Sequence, residues 1–234
     1  VDGRRESLWR AIVTVPGVPG TSQWARAVCG VSVELLPGID AAALTLRASL
    51  RAQDMLGASD EWAGQLDGQQ YTLGEGPGVD AFASGEPELV TDIRTAEARW
   101  PWFCDAALAM GARAVYAFPL RIGGVRLGTL DLYRHQIGGF TPSMMADAMI
   151  VAVVISQALM QEVTRAEEAG QAWLRPVGSY HDVNVATGML AALLRISLDD
   201  AFLRLRGRAF TTDRPLVEVA KEVLEKKIDV DELY

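Results

Sequence analysis

The chain carries little with which to do chemistry. Its 234 residues include two histidines and two cysteines, Cys29 and Cys104, too few for a disulfide framework or a metal-ligand cluster. Two buried thiols in a reducing, cytoplasmic setting are therefore expected. Neither His135 nor His181 lies in an HExxH or cysteine-rich neighbourhood, so no zinc centre is expected. Asp80, Asp92, Asp105 and Asp131 flank loops as carboxylates do in most soluble proteins, and nothing marks a hydrolytic pair. Gly74-Glu-Gly-Pro-Gly78 does not read as a phosphate loop, because Pro77 lacks an amide donor and no Lys-Ser/Thr pair follows. These absences predict no catalytic residue, no metal and no resident cofactor, and a protein that is not an enzyme.

Positive charge is also scarce. With 22 Lys and Arg against 30 Asp and Glu, the formal charge is -8, which disfavours indiscriminate attraction to nucleic acid or anionic membrane. The deficit is uneven: residues 1–174 carry net -7 and residues 175–234 net -1. From Arg175 to Arg214 six arginines face four aspartates, a balance that suits a nucleic-acid face and a mixed solvated surface equally. The chain begins Val-Asp-Gly-Arg-Arg with no sustained apolar stretch before Pro16, which predicts no signal peptide. Residues 144–160 are apolar over 17 positions but include Asp147 and Gln157. That length is at the lower limit for a membrane span, so a helix buried in protein is the expectation.

What is present is a core-former: 50% of the residues are hydrophobic, enough for one compact domain and a smaller one. Helices are predicted over residues 1–15 and from the Pro16–Gly20 cluster to Leu36, followed by strands at 41–47 and 55–59 and a short helix at 60–67. Tyr71 to Asp80 reads as a shaped glycine loop leading into a short helix. A brief strand at 89–91 and a helix from Trp100 to Gly111 come next. The clearest sheet signal is the pair of alternating runs 114–122 and 125–133 around Gly123-Gly124, a turn able to take positive φ. One sheet covered by helices fits this order, an α+β fold with a central antiparallel sheet. A long helix from Ser143 to about Gln171 follows, apolar first and charged later, whose 3,4 spacing suggests pairing with a second copy. Trp173 and Pro176 mark a break. Three short helices at 180–194, 199–212 and 215–227 each carry one apolar stripe, so they must pack on one another.

Two clusters attract functional readings. Tyr71, Phe82, Trp102, Tyr116, Phe118 and Tyr133 lie in the part that holds the glycine loop and the hairpin, and aromatics so placed line a small-molecule pocket or fill the core. In the tail Arg195, Arg204, Arg206 and Arg208 form the basic set. Arg204 and Arg208 are four apart and share a helix face, whereas Arg206 points elsewhere. Such arginines give bidentate phosphate contacts.

Residues 1–160 resemble a GAF domain of the actinobacterial regulatory kind in QYTLGEGPGVDAF, in RWPWF at 99–103 and in AVYAFPLRIGG followed by RLGTLDLYR. Residues 176–234, after a helical linker reaching about 175, resemble an ANTAR domain. The signature is Ala186-Thr-Gly-Met-Leu190, then Ser197 to Ala209, then Arg214-Pro-Leu-Val-Glu-Val-Ala220. The resemblance implies signal reception by the first part and control of transcription termination by the second, through structured stem-loop RNA bound as a homodimer. Thr187, Gly188, Arg195, Arg204, Arg206 and Arg208 would be its RNA-binding residues. Thr187 and Tyr180 stand where that family carries positive charge, which weakens phosphate contact. The alternative is a signalling or dimerisation adaptor whose tail binds protein.

Overall fold

A computed structural model describes residues 2–49, 53–169, 180–212 and 214–227. Five strands make one antiparallel sheet: β1 (Ala41–Arg47), β2 (Gln53–Ala58), β3 (Glu88–Val90), β4 (Ala114–Ile122) and β5 (Val125–Arg134), in the order β2-β1-β5-β4-β3. β4 and β5 are the expected hairpin, with Gly123 at φ +57 in its turn. Their pairing sets Tyr116 opposite Leu132 and Val115 opposite Tyr133.

Helices cover both faces, and strand alternation sorts the side chains between them. Ala42, Leu44 and Leu46 of β1, Tyr116 and Phe118 of β4 and Leu130 and Leu132 of β5 face α1 (Asp2–Val13), α2 (Ser22–Leu35) and α6 (Pro142–Glu168) in the larger core. Ala41, Ala43, Val115 and Tyr133 face the other way, in a core shared with α3 (Glu61–Leu73) and α5 (Pro101–Ala109). α4 (Pro77–Ser84) packs beside them on β4 and β5.

α6 is long and apolar enough to span a membrane by length and composition. Here its inner side, including Val151, Ile155 and Leu159, is buried against the sheet side of the larger core. Asp147, which interrupts the apolar run, is paired with Arg4 of α1 at 2.7 Å. Its outer positions Met149 and Val153, with Trp9 and Val13 of α1, are about half exposed. α6 is described to Glu168; the expected break at Trp173 and Pro176 lies outside the described residues.

The glycine segment differs from the expectation. Helix α3 does not stop at residue 67 but runs through Tyr71-Thr-Leu73, and α4 begins at Pro77, so the loop shrinks to Gly74–Gly76. Asp60 caps the start of α3 by accepting from the Ala63 amide, and Gly74 at φ +73 ends it in the left-handed conformation a glycine takes readily. Gly64 and Gly68 are tolerated inside α3 because Leu66 and Tyr71 bury it from two sides.

The tail consists of α7 (His181–Leu194), α8 (Leu198–Thr211) and α9 (Leu216–Leu224). Val183, Ala186 and Leu190, then Ala201, Leu205 and Ala209, then Leu216, Val219, Ala220 and Val223 close one small core. Tyr71 of α3 belongs to that core as well.

Candidate functional site

The sheet face under α3 and α4 becomes polar toward the end of β1. Thr45 and Arg47 of β1, Thr129, Asp131 and Tyr133 of β5, Gln53 of β2 and Asp67 and Gln70 of α3 gather there, each essentially removed from solvent. Arg47 Nη2 lies 3.8 Å from Asp67 Oδ1, and Arg47 also donates to Gln53 Oε1 and, over 3.5 Å, to Thr129 Oγ1. Thr129 Oγ1 donates to Asp131 Oδ2 at 3.2 Å, and Gln70 donates to the Tyr133 hydroxyl at 3.2 Å. Thr45 Oγ1, Arg47 Nη2, Gln53 Nε2, Asp67 Oδ1 and Asp131 Oδ1 nevertheless have no hydrogen-bond partner. Buried donors and acceptors are satisfied almost everywhere in native proteins, so this gathering, in which Arg47 Nη2 and Asp67 Oδ1 face each other as an ion pair, is the candidate site of the GAF interior.

One guanidinium faces two carboxylates, which fixes the protonation. Burial, then the neighbouring Asp67, push the Asp131 carboxyl from an ordinary 3.8 up to about 7, with Arg47 pulling the other way. Burial also raises Asp67, opposed by Arg47 and by the hydrogen bond from Tyr180. Tyr133 and Tyr180 are held as neutral phenols, far above their usual range, chiefly by burial. The folded-state value of Asp131 exceeds the unfolded one. Between about pH 4 and 7 the folded chain therefore keeps a proton that the unfolded chain has lost, and stability falls as pH rises through that window. Asp131→Asn is expected to remove most of that fall and to stabilise the protein at pH 8 by about 1–3 kcal/mol. Urea unfolding from pH 4 to 8 checks it: an unchanged pH profile would contradict the assignment.

The glycines shape this site. Gly78 donates its amide to Gln70 Oε1 at 2.7 Å. A Cβ on Gly78 would come within 2.7 Å of Asp131 Oδ2, and one on Gly76, at φ +135, within 2.6 Å of Gln70 Oε1. The glycines of the loop let the backbone close over two polar side chains. Gly78→Ala is expected to cost about 1–3 kcal/mol by overpacking, measured as a drop in the urea midpoint. A neutral result would mean that Asp131 moves aside freely.

The six aromatics expected around a ligand fall in separate places. Tyr116 and Phe118 stack on Phe140 in the larger core, across the sheet from Tyr133, which meets Trp62 edge-on at 6.1 Å. Phe82 is buried on α4, Tyr71 sits against the tail, and Trp102 is 55% exposed. Of the six, Tyr133 touches the polar cluster. Arg47, Gln53, Asp67, Gln70 and Thr129 were not singled out by sequence reasoning. A partial signal lies in β1 and β5, where Thr45 and Arg47 alternate with Leu44 and Leu46, and Thr129 and Asp131 with Leu130 and Leu132.

The tail candidates are likewise dispersed. Thr187 is buried and donates to the Val183 carbonyl at 2.7 Å. Gly188 is half-buried, and Arg195 is exposed at the C-cap of α7 with φ +55. Arg204 and Arg208 are half-exposed on one side of α8. Arg206 turns to the sensor, where it donates to the Tyr71 carbonyl at 3.2 Å and lies over the Phe202 ring.

Tail and sensor meet along α3. Tyr180 donates its hydroxyl to Asp67 Oδ2 at 3.0 Å and its amide to Asp54 Oδ1 at 3.2 Å, and its ring packs 4.2 Å from that of Tyr71. The Leu216 amide donates to Thr72 Oγ1 at 3.3 Å, and Phe210 meets Trp102 edge-on. Asp67 thus stands between the guanidinium of the buried cluster and the first residue of the described tail.

The sequence profile described as "GAF domain" matches residues 22–160, more than half the chain. The chain belongs to the GAF domain family. No curated protein matches it. Among solved structures it is similar to the GAF domain of a phosphoenolpyruvate-protein phosphotransferase from Coxiella burnetii, at 18% identity over 71% of this chain and 96% of that one, with a TM-score of 0.52. A second is the GAF domain of the Acinetobacter phosphoenolpyruvate-protein phosphotransferase, at 8% identity over 69% and 93% of the two chains, with a TM-score of 0.52. A third is the free methionine-R-sulfoxide reductase of Neisseria meningitidis solved with its substrate, at 15% identity over 69% and 91%, again with a TM-score of 0.52. At these identities the likeness concerns the fold, and the GAF domain carries with it a general role in sensing signals. The polar cluster lies inside the GAF fold; α7, α8 and α9 lie beyond the matched residues.

Proposed function

We propose that this GAF protein is a non-catalytic, cytoplasmic regulator of transcription termination, in which the sensor governs an ANTAR-like tail that binds structured stem-loop RNA. The observation that carries the reading is the tail itself: three helices closing one small core, with Arg195 exposed and Arg204 and Arg208 partly exposed beside it. The signal is a small polar molecule taken up at the cluster around Arg47, Asp67 and Asp131, where unmet donors and acceptors stand side by side. The half-exposed apolar positions of α1 and α6 support association of two copies through those helices.

Transcription in vitro through a terminator preceded by two stem-loops tests this reading. Purified protein is expected to raise read-through, and Arg195→Ala/Arg204→Ala/Arg208→Ala to abolish the rise. The adaptor reading draws support from Thr187, which is buried where a contact residue was expected. It predicts read-through unaffected by the protein, with dimerisation intact.

A further inference from the structure

We infer that helix α3 is a latch: it holds the tail against the sensor and, in doing so, withholds Arg206 from nucleic acid. The inference rests on the RNA reading above and adds to it how the RNA-binding face is controlled. Arg206 is seated in a recess that glycine makes possible. A Cβ on Gly74 would overlap the Arg206 guanidinium, and the position already requires positive φ. With the Tyr71 carbonyl accepting from Nη2 and the Phe202 ring beneath, the guanidinium faces away from the Arg204 and Arg208 side of α8.

This seat holds Arg206 by weak bonds. Its Nε has no hydrogen-bond partner, and among the described residues no carboxylate pairs with it. A guanidinium given a neutral carbonyl and an aromatic face keeps most of its capacity for a charge-assisted bidentate contact, the kind a phosphate offers. RNA phosphate and the α3 recess therefore compete for one side chain, and the recess is the weaker partner.

The latch is also wired to the sensor interior. Asp67 and Gln70 face the buried cluster, while Tyr71, Thr72 and Gly74 on the following turn hold the tail. Tyr180 closes the circuit, because its hydroxyl donates to the same Asp67 that faces Arg47. A guest that draws Asp67 toward itself takes away the partner of Tyr180. The tail then loses one of its bonds to α3 and keeps the Tyr180 amide on Asp54, the packing on Tyr71, Leu216 on Thr72, Phe210 on Trp102 and the Arg206 seat.

Two full-length variants test the latch in opposite directions without altering any tail arginine. Tyr180→Phe/Trp102→Ala removes two interactions from the seam; faster hydrogen exchange at the Leu216 amide, which is bonded to Thr72, reports undocking. RNA with two stem-loops is expected to bind this chain about tenfold more tightly than the wild type, the factor expected if roughly nine tails in ten are docked. Trp102→Cys/Phe210→Cys joined by a bismaleimide fixes the docked state, Cys29 and Cys104 being buried. The joined chain is expected to bind the RNA at least about fivefold more weakly than the same chain before joining. Faster exchange with unchanged or weaker RNA binding, or a joined chain that binds as tightly as the unjoined one, overturns the latch while leaving the RNA reading standing. Absence of RNA binding in every form overturns the RNA reading and the latch with it. Should the first variant keep wild-type exchange or fail to fold, the joined chain decides.

Discussion

Replacing Arg47 with Met is expected to destabilise the protein at pH 8 by about 3–5 kcal/mol, the range for breaking a buried ion pair from one side. Arg47 is 2% exposed and is the cation placed among Asp67 and Asp131, both fully buried. Methionine fills the stem of the side chain but leaves two carboxylates without a counter-charge. The destabilisation should shrink at pH 5, because both carboxyls already bind protons unusually tightly, chiefly through burial, and protonation removes the charge that Arg47 balances. Urea unfolding at the two pH values measures this. Equal destabilisation at pH 5 and 8 would show that Arg47 acts by packing and hydrogen bonding alone.

The second large effect concerns the tail surface. Arg195→Ala/Arg204→Ala/Arg208→Ala is expected to weaken binding to a two-stem-loop RNA by about 100-fold at moderate salt and to flatten the salt dependence. Each RNA phosphate that is no longer neutralised takes about one counterion out of the release that drives association. Arg195 is exposed, and Arg204 and Arg208, partly exposed on one side of α8, are not among the apolar residues of the tail core. Thermal unfolding of the variant, measured alongside, separates weakened phosphate binding from a damaged fold. A salt slope equal to that of the wild type would place the phosphate-binding residues elsewhere.

Local signals made much of the fold legible. Gly123-Gly124 between two alternating runs gave the β4–β5 hairpin, and one apolar stripe per segment gave the three tail helices. The course of α3 beyond residue 67 was not legible, since the glycines from Gly74 to Gly78 made Tyr71 to Asp80 read as a loop. Burial on two sides, by the sensor core through Leu66 and by the tail through Tyr71, carries the helix on to Leu73. The aromatic grouping was read along the chain instead of across the sheet. Hairpin register alone puts Tyr116 and Phe118 on the face opposite Tyr133. The polar cluster lay beyond a strand-by-strand reading for another reason. Thr45 and Arg47 close a strand buried on both faces, and Asp67 joins them from a helix, so no single segment carries the pattern. Arg206 was set apart from Arg204 and Arg208 by helical spacing, but that it would face Gly74 depends on how tail and sensor meet.

Titration of the full-length protein into a two-stem-loop RNA and into a duplex DNA of matched sequence, at several salt concentrations, decides whether the tail binds structured RNA. Binding to the RNA in preference to the DNA, weakening steadily as salt rises, is the expected result. No RNA binding, or equal affinity for both nucleic acids with no salt slope, would contradict it.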